Sequence, residues 1–163
     1  MKNLLILLSI LFLTGCSSDD EPISDTAMEG IWEKTSPLDP IEFDKLDENL
    51  NYEYVIQYKF LNNSKFESYT FIRATTSSDI AGYMFKELGT FTISNNRLSL
   101  VSDRWISQDD SGALESLQEL SLNEQEVEWS FNFKLEQNTL TFNFDPCGPA
   151  ENCIGSITLN KVK

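Results

Sequence analysis

The chain has 163 residues, a length that suits one domain with its own apolar core. Its 26 acidic and 12 basic residues give a formal charge of −14, and such a surface repels nucleic acid phosphates and anionic lipid headgroups. The chain has no histidine, which excludes serine–histidine and cysteine–histidine nucleophiles and histidine metal sites. Carboxylate catalysis by a glycosidase-type pair stays open, but many carboxylates form close pairs by chance. We expect a protein that is not an enzyme, with no cofactor, no metal and no nucleic acid partner.

Residues 1–15 have the plan of a secretory signal peptide. Lys2 gives a charged start, an apolar run over residues 4–13 is broken only by Ser9, and small residues follow. The run is about half of the roughly 20 apolar residues that a membrane-spanning helix needs. We therefore interpret this segment as one that is removed.

Leu13-Thr14-Gly15-Cys16 resembles the lipobox of bacterial lipoproteins, in which the cysteine receives a diacylglycerol and becomes the new N-terminus. The resemblance implies acyl chains such as palmitate at Cys16, and two or more chains anchor a protein stably to a membrane. An ordinary signal peptide with a chance cysteine is the alternative. Removal of residues 1–15 leaves 148 residues with a formal charge of −15, because Lys2 is lost.

Residues 16–29 are acidic and polar, and we predict a flexible tether that begins at the lipidated cysteine. Within it, Ser18-Asp19-Asp20-Glu21 resembles the acidic export signal that sends some Bacteroidota lipoproteins to the cell surface. A solvated linker without that role is the alternative. The predicted location is the cell envelope, as an outer membrane lipoprotein. If residues 18–21 act as the export signal, the protein is exposed at the cell surface.

From Tyr52 onward, apolar and polar residues alternate with the period of a β-strand. Three hairpins close over residues 62–64, 95–96 and 137–138, because these registers place like residues opposite each other on one face. The predicted pairs are Phe60–Phe66, Lys59–Glu67, Tyr54–Ile72 and Glu53–Arg73, then Ile93–Leu98 and Phe91–Leu100, then Leu135–Leu140, Phe133–Phe142, Phe131–Phe144 and Asn132–Asn143.

A further loop at residues 123–126 is predicted to pair Leu122 with Val127 and Leu120 with Trp129. With a first strand near residues 30–34 and a last strand near residues 154–162, the meander has eight or nine antiparallel strands. Closure into a barrel removes its exposed edges. The predicted fold class is therefore all-β, a small up-and-down barrel. Two segments stay open: residues 38–50 as a crossing with room for a helical turn, and residues 102–117 as a loop, a short helix or both.

Gly30-Ile31-Trp32 at the head of the first strand resembles the Gly-x-Trp motif of the lipocalin-like domains, of the calycin type, found in many bacterial lipoproteins. The resemblance implies a lipocalin-like barrel over residues 30–163, with Trp32 plugging its closed end. An ordinary core tryptophan is the alternative. Two family features are missing, a Thr-Asp-Tyr-like motif and an arginine near the last strand that packs on the tryptophan. Only Lys161 and Lys163 lie near the end.

The aromatic interior of this barrel is the candidate binding site. An eight-stranded barrel is just wide enough either to be filled by side chains or to hold one small ligand. We predict a small apolar or amphipathic ligand; the alternative is a filled barrel that acts on a protein or glycan partner at the envelope. The candidate ligand-binding residues are Trp32, Tyr54, Tyr58, Phe60, Trp129, Phe131, Phe133, Phe142 and Phe144.

The two remaining cysteines, Cys147 and Cys153, are separated by five residues in a turn-rich segment. We predict a disulfide between them, as expected in an oxidising compartment. Zinc binding is the weaker alternative, because a structural zinc site needs four ligands. Lipidation of Cys16 accounts for the odd cysteine.

Overall fold

The computed structural model describes residues 23–39, 43, 45–108, 114–146 and 155–162, and its strands form one closed barrel. Eight antiparallel strands follow in chain order, and β1 closes the barrel by pairing Trp32 with Lys161 and Glu33 with Asn160 of β8. This confirms the predicted all-β, up-and-down barrel. The elements are α1 (Asp25–Met28), β1 (Gly30–Leu38), β2 (Tyr52–Leu61), β3 (Lys65–Ala74), β4 (Ile80–Ser94), β5 (Arg97–Ile106), β6 (Ser121–Glu136), β7 (Thr139–Asn143) and β8 (Ser156–Lys161).

The three predicted hairpins are present with the predicted registers. Asn63, Asn95 and Asn96 have positive φ, as tight turns require. One predicted pair, Phe131–Phe144, lies a step beyond the end of the β6–β7 ladder, although its ring centroids are 5.0 Å apart. Matching of apolar residues on one face was therefore enough to fix these registers.

The predicted loop at residues 123–126 is wrong, because this segment lies inside the 16-residue strand β6. Val127 pairs with Ser102 and Trp129 with Leu100, both on β5, so neither pairs within its own segment. The turn-like residues instead form an irregularity in the ladder, where Glu126 has a φ of 51° and its backbone N–H donates to Asp103 Oδ1 at 3.2 Å. The ten residues of β5 need a partner along their length, and β6 supplies it.

A large apolar cluster fills the barrel at the end where α1 lies, and we call this the packed end. Its aromatic rings meet at short distances, for example Phe131 and Phe142 at 4.8 Å between centroids and Phe60 and Phe91 at 5.0 Å. Its buried members are Met28, Trp32, Phe60, Phe66, Phe91, Leu98, Leu100, Phe131, Phe133, Leu140, Phe142 and Leu159.

The short helix α1 closes the packed end. Met28 is fully buried, and its carbonyl oxygen accepts a hydrogen bond of 2.8 Å from Trp32 Nε1. Ser64 Oγ at the first hairpin donates to Asp25 Oδ2 at 2.6 Å. The last part of the expected tether, residues 25–28, is thus helical and packed on the barrel, because Met28 buries its side chain there.

A second, smaller apolar cluster lies at the opposite end of the barrel, at the strand ends near Tyr52 and Ala74. Its buried members include Leu46, in the segment that precedes β2, and Leu114, in the segment that precedes β6. The described part of the 38–50 crossing forms turns, with Leu46 N–H donating to the Phe43 carbonyl oxygen at 3.0 Å. In the 102–117 segment, β5 continues to Ile106.

Several predictions fall outside the described residues: the signal peptide at residues 1–15, lipidation at Cys16 and the disulfide between Cys147 and Cys153. In the described part of the chain, no helix has the length and apolar character that a membrane crossing requires.

Candidate functional site

A row of polar side chains crosses the inner wall of the barrel, between the packed end and the smaller apolar cluster. Cα pairing places its members opposite one another on five consecutive strands. Paired residues of neighbouring strands share one face of a sheet, and Tyr58 follows the inward phase of Phe60. We call this set the polar row; its members are Tyr58, Ser68, Glu87, Arg104 and Glu124.

An ion pair between Glu87 and Arg104 forms the centre of the polar row. Arg104 Nε and Nη2 both donate to Glu87 Oε1, at 3.1 and 3.0 Å. The side chains are only 4% and 18% exposed, so both groups are largely desolvated. Burial raises the pKa of Glu87, and the hydrogen bonds and charge of Arg104 oppose that rise.

The guanidinium of Arg104 has aromatic and acidic neighbours on several sides. Its central carbon lies 5.3 Å from the ring centroid of Phe85 and 5.3 Å from that of Trp129. Arg104 Nη1 donates to Glu124 Oε2 at 3.1 Å, and the Glu124 side chain is 52% exposed. Cation–π contacts and a buried carboxylate therefore fix the guanidinium, while its outer edge faces a solvent-accessible group.

Hydroxyl groups complete the polar surface around the ion pair. Tyr58 lies opposite Ser68 on β3, and burial, together with the negative charge of Glu87, raises the pKa of Tyr58 to about 12. The phenol therefore stays protonated near neutral pH. Ser102 lies on β5 between Leu100 and Arg104 on the inward phase, and its Oγ is buried without a hydrogen-bond partner in the described structure. A buried hydroxyl without a partner is uncommon, and a bound molecule or water can satisfy it.

The predicted ligand-binding residues separate into three groups. Trp32, Phe60, Phe131, Phe133 and Phe142 are at most 6% exposed and belong to the packed end, and Phe144 packs against the same cluster. Tyr58 belongs to the polar row, and Trp129, which is 42% exposed, contacts Arg104 of that row. Tyr54 packs against the smaller apolar cluster. The structure thus brings two of the nine residues to the ion pair.

Sequence reasoning missed Glu87, Arg104, Ser68 and Ser102. Their inward orientation could have been predicted from spacing. Each lies an even number of residues from an apolar inward residue on its own strand, as Ser68 does from Phe66. Polar residues in the inward phase of three neighbouring strands predict a polar interior. Phe85 follows the same phase and packs against Arg104.

The polar row can offer charged and hydroxyl groups to a bound molecule, and comparisons with known proteins add little to this observation. Across the described residues, no group of three or more acidic or cysteine side chains is arranged to hold a metal ion. No protein-family model matches the sequence, and no curated protein matches it significantly. The eight-stranded closed meander is compatible with ligand-binding barrels of the lipocalin-like kind.

Proposed function

We propose that this protein binds one small amphipathic molecule inside its barrel, with the polar part of the molecule against the polar row. The observation that carries this proposal is the inward-facing Glu87–Arg104 ion pair, which lies beside the half-exposed Trp129. The resemblance of Gly30-Ile31-Trp32 to the motif of lipocalin-like lipoprotein domains supports the same class of function.

A buried ion pair stabilises the interior of a barrel less effectively than apolar side chains do. Removing two charges from water costs free energy that their attraction often fails to recover, so apolar residues of similar volume would stabilise the fold at least as well. The packed end follows that rule, since apolar side chains fill it. Charged groups and the unpartnered Ser102 hydroxyl in the next layer therefore point to a role in recognition.

We propose further that Cys16 carries lipid and holds the domain at the cell envelope, as the lipobox-like Leu13-Thr14-Gly15-Cys16 indicates. Incorporation of labelled palmitate in cells tests this step. Labelling and membrane retention should both disappear in Cys16→Ser, while Cys147→Ser should keep them. Unchanged membrane retention of the Cys16→Ser variant would contradict the anchoring.

The ligand proposal is tested by blocking the interior. Ile106 lies on the inward phase of β5 next to Phe85, whereas Val101 lies on the outward phase and is 41% exposed. Native mass spectrometry of the protein purified from its own host should detect a bound small molecule. Ile106→Trp should lose that mass, and the matched Val101→Trp should retain it. An empty barrel in all three proteins would contradict the proposal.

A second candidate is an accessory lipoprotein that acts on a protein or glycan partner through its outer wall. Leu88, Val101 and Leu122 are exposed by 36–46% on neighbouring strands, with Trp105 between them on the outward phase. Crosslinking in cells, with wild type and with Leu88→Lys, separates the candidates. A partner lost in Leu88→Lys but kept in Ile106→Trp would favour the outer wall.

A further inference from the structure

The two carboxylates that bind Arg104 differ sharply in how firmly they are held. Glu87 lies inside the barrel with 4% of its side chain exposed, and it accepts two hydrogen bonds from the guanidinium. Glu124 has 52% of its side chain exposed and one hydrogen bond, from Arg104 Nη1 at 3.1 Å. Exposed ion pairs contribute little net free energy, because water competes for both groups. Glu124 can therefore leave Arg104 at little cost.

The guanidinium would stay in place without Glu124. Glu87 fixes its Nε and Nη2 edge, and the rings of Phe85 and Trp129 each lie 5.3 Å from its central carbon. Its Nη1 edge would then present free N–H donors in a fixed orientation. A fixed guanidinium is the side chain best suited to a planar anion such as a carboxylate.

A second cation faces the interior from the opposite wall. Lys34 is two residues from Trp32 on β1 and pairs with Ile56, so it follows the inward phase. It is partly buried and makes no ion pair with another described residue. Among the described residues on the inward phase near the polar row, Arg104 and Lys34 are cations, and Glu87 is the carboxylate that stays on Arg104 when Glu124 moves into solvent, so Lys34 adds positive charge to this part of the described interior.

We infer that the ligand is an amphipathic anion, whose head group binds Arg104 by displacing Glu124, with Lys34 as a second positive charge. This inference rests on the proposed ligand-binding function. Glu124 acts as an internal competitor that occupies the Nη1 edge of Arg104 while the barrel is empty. The apolar tail of the ligand lies along Trp129 and Phe85. The strongly acidic outer surface slows the approach of such an anion, but screening at physiological salt limits this effect to about 8 Å.

Three probes with the same apolar tail test the head group: dodecanoate, dodecanol and dodecylammonium. Binding to the full domain is measured by calorimetry at concentrations below micelle formation, in physiological salt. We expect dodecanoate to bind roughly tenfold more tightly than dodecanol, as for a hydrogen bond to a charged group, and dodecylammonium to bind most weakly.

Matched variants then test the residues. Glu124→Gln should raise the affinity for dodecanoate about two- to fivefold, because it removes the competing carboxylate. The affinity for dodecanol should not change. Glu128→Gln is the control, because Glu128 lies on the outward phase of the same strand, opposite Val101. Lys34→Gln should lower the affinity for dodecanoate several-fold, about as much as the loss of one charged contact. Lys65→Gln, at the packed end, should leave that affinity unchanged.

The outcomes separate the two proposals. If none of the three probes binds, both the ligand-binding function and this inference are overturned. If dodecanol binds as well as dodecanoate, or dodecylammonium binds most tightly, only the inference fails. An unchanged dodecanoate affinity in Glu124→Gln would also contradict the displacement of Glu124.

Discussion

The packed end and the polar row share one barrel and the same strands, yet their side chains follow opposite rules. At the packed end, inward positions such as Phe66 and Leu100 are apolar and at most 1% exposed. One step along the same strands, the inward positions Ser68 and Ser102 are polar. The change occurs over two residues of the same strand. The backbone is the same in both regions, so the difference lies in the side chains. Stability accounts for the first region, and the proposed ligand binding would account for the second.

The largest expected effect tests the packed end. Phe142 is fully buried there, with its ring 5.1 Å from Tyr58 and 4.8 Å from Phe131. Phe142→Ala should lower the free energy of unfolding by about 4 kcal/mol, because it leaves a cavity in a packed core. Trp129→Ala, measured by the same urea titration, should lower it by only about 1 kcal/mol, because Trp129 is 42% exposed. Equal losses would remove the distinction between the regions.

The next effect tests the ion pair and its dependence on pH. Arg104→Gln leaves Glu87 buried without its cation and should cost about 3 kcal/mol at neutral pH. The pKa of Glu87, already raised by burial, then rises further above its ordinary value of 4.5. A folded-state pKa above the unfolded one gives stability that is present at low pH and lost as pH rises through the folded pKa. The loss should therefore shrink on acidification.

Urea titrations of Arg104→Gln at several pH values, beside Arg97→Gln, measure this difference. Arg97 pairs with Asp145 at 3.1 Å, but both side chains are well exposed, so its loss should stay below about 1 kcal/mol at every pH. A cost for Arg104→Gln that grows as pH falls would contradict a buried carboxylate at Glu87.

A smaller effect concerns Tyr58 at alkaline pH. Its folded-state pKa of about 12 lies above the ordinary value of 10.0, so the stability it contributes is present below pH 10 and is lost as pH rises through 12. Tyr58→Phe should reduce the alkaline fall in unfolding free energy by about 2 kcal/mol. Stability measured between pH 9 and pH 12, in steps and against wild type, checks the difference; identical pH profiles would contradict it.

The smallest expected effect lies at the closure of the barrel. Lys161 Nζ lies 4.9 Å from the ring centroid of Trp32, so a lysine occupies the place for which the sequence offered no arginine. Lys161→Gln should cost about 0.5 to 1 kcal/mol through loss of this cation–π contact. Thermal unfolding beside Lys134→Gln, whose side chain is 67% exposed, checks it. A stabilised Lys161→Gln would be the contrary result.

Much of the barrel could be predicted from the sequence because hairpin registers depend on neighbours in the chain. Phe60 opposite Phe66 and Glu53 opposite Arg73 required only alternation and a turn. The pairing of β6 with β5 depends on a longer connection, and its acidic residues 123–126 have the composition of a turn. Only the barrel shows that Glu126 is an irregular residue inside a strand.

The candidate site was predicted only in part, for a related reason. Tyr58 and Trp129 are aromatic and were found by type, whereas Glu87 and Arg104 were not considered, because charged residues are usually exposed. Their inward phase could have been read from the sequence, because Glu87 lies four residues from inward Phe91 and Arg104 four residues from inward Leu100. Charge buried inside a barrel is the kind of local inconsistency that marks functional sites.

The three tryptophans provide the most direct test of ligand binding beside the polar row. Trp32 lies in the packed end, Trp129 contacts Arg104, and Trp105 lies on the outer wall beneath Lys86. Their indole N–H signals can be assigned by single Trp→Phe substitutions and followed by nuclear magnetic resonance while dodecanoate is added. We expect the Trp129 signal to shift in a saturable manner while the Trp32 and Trp105 signals stay unchanged. A shift confined to Trp105, or no shift at Trp129, would contradict ligand binding inside the barrel.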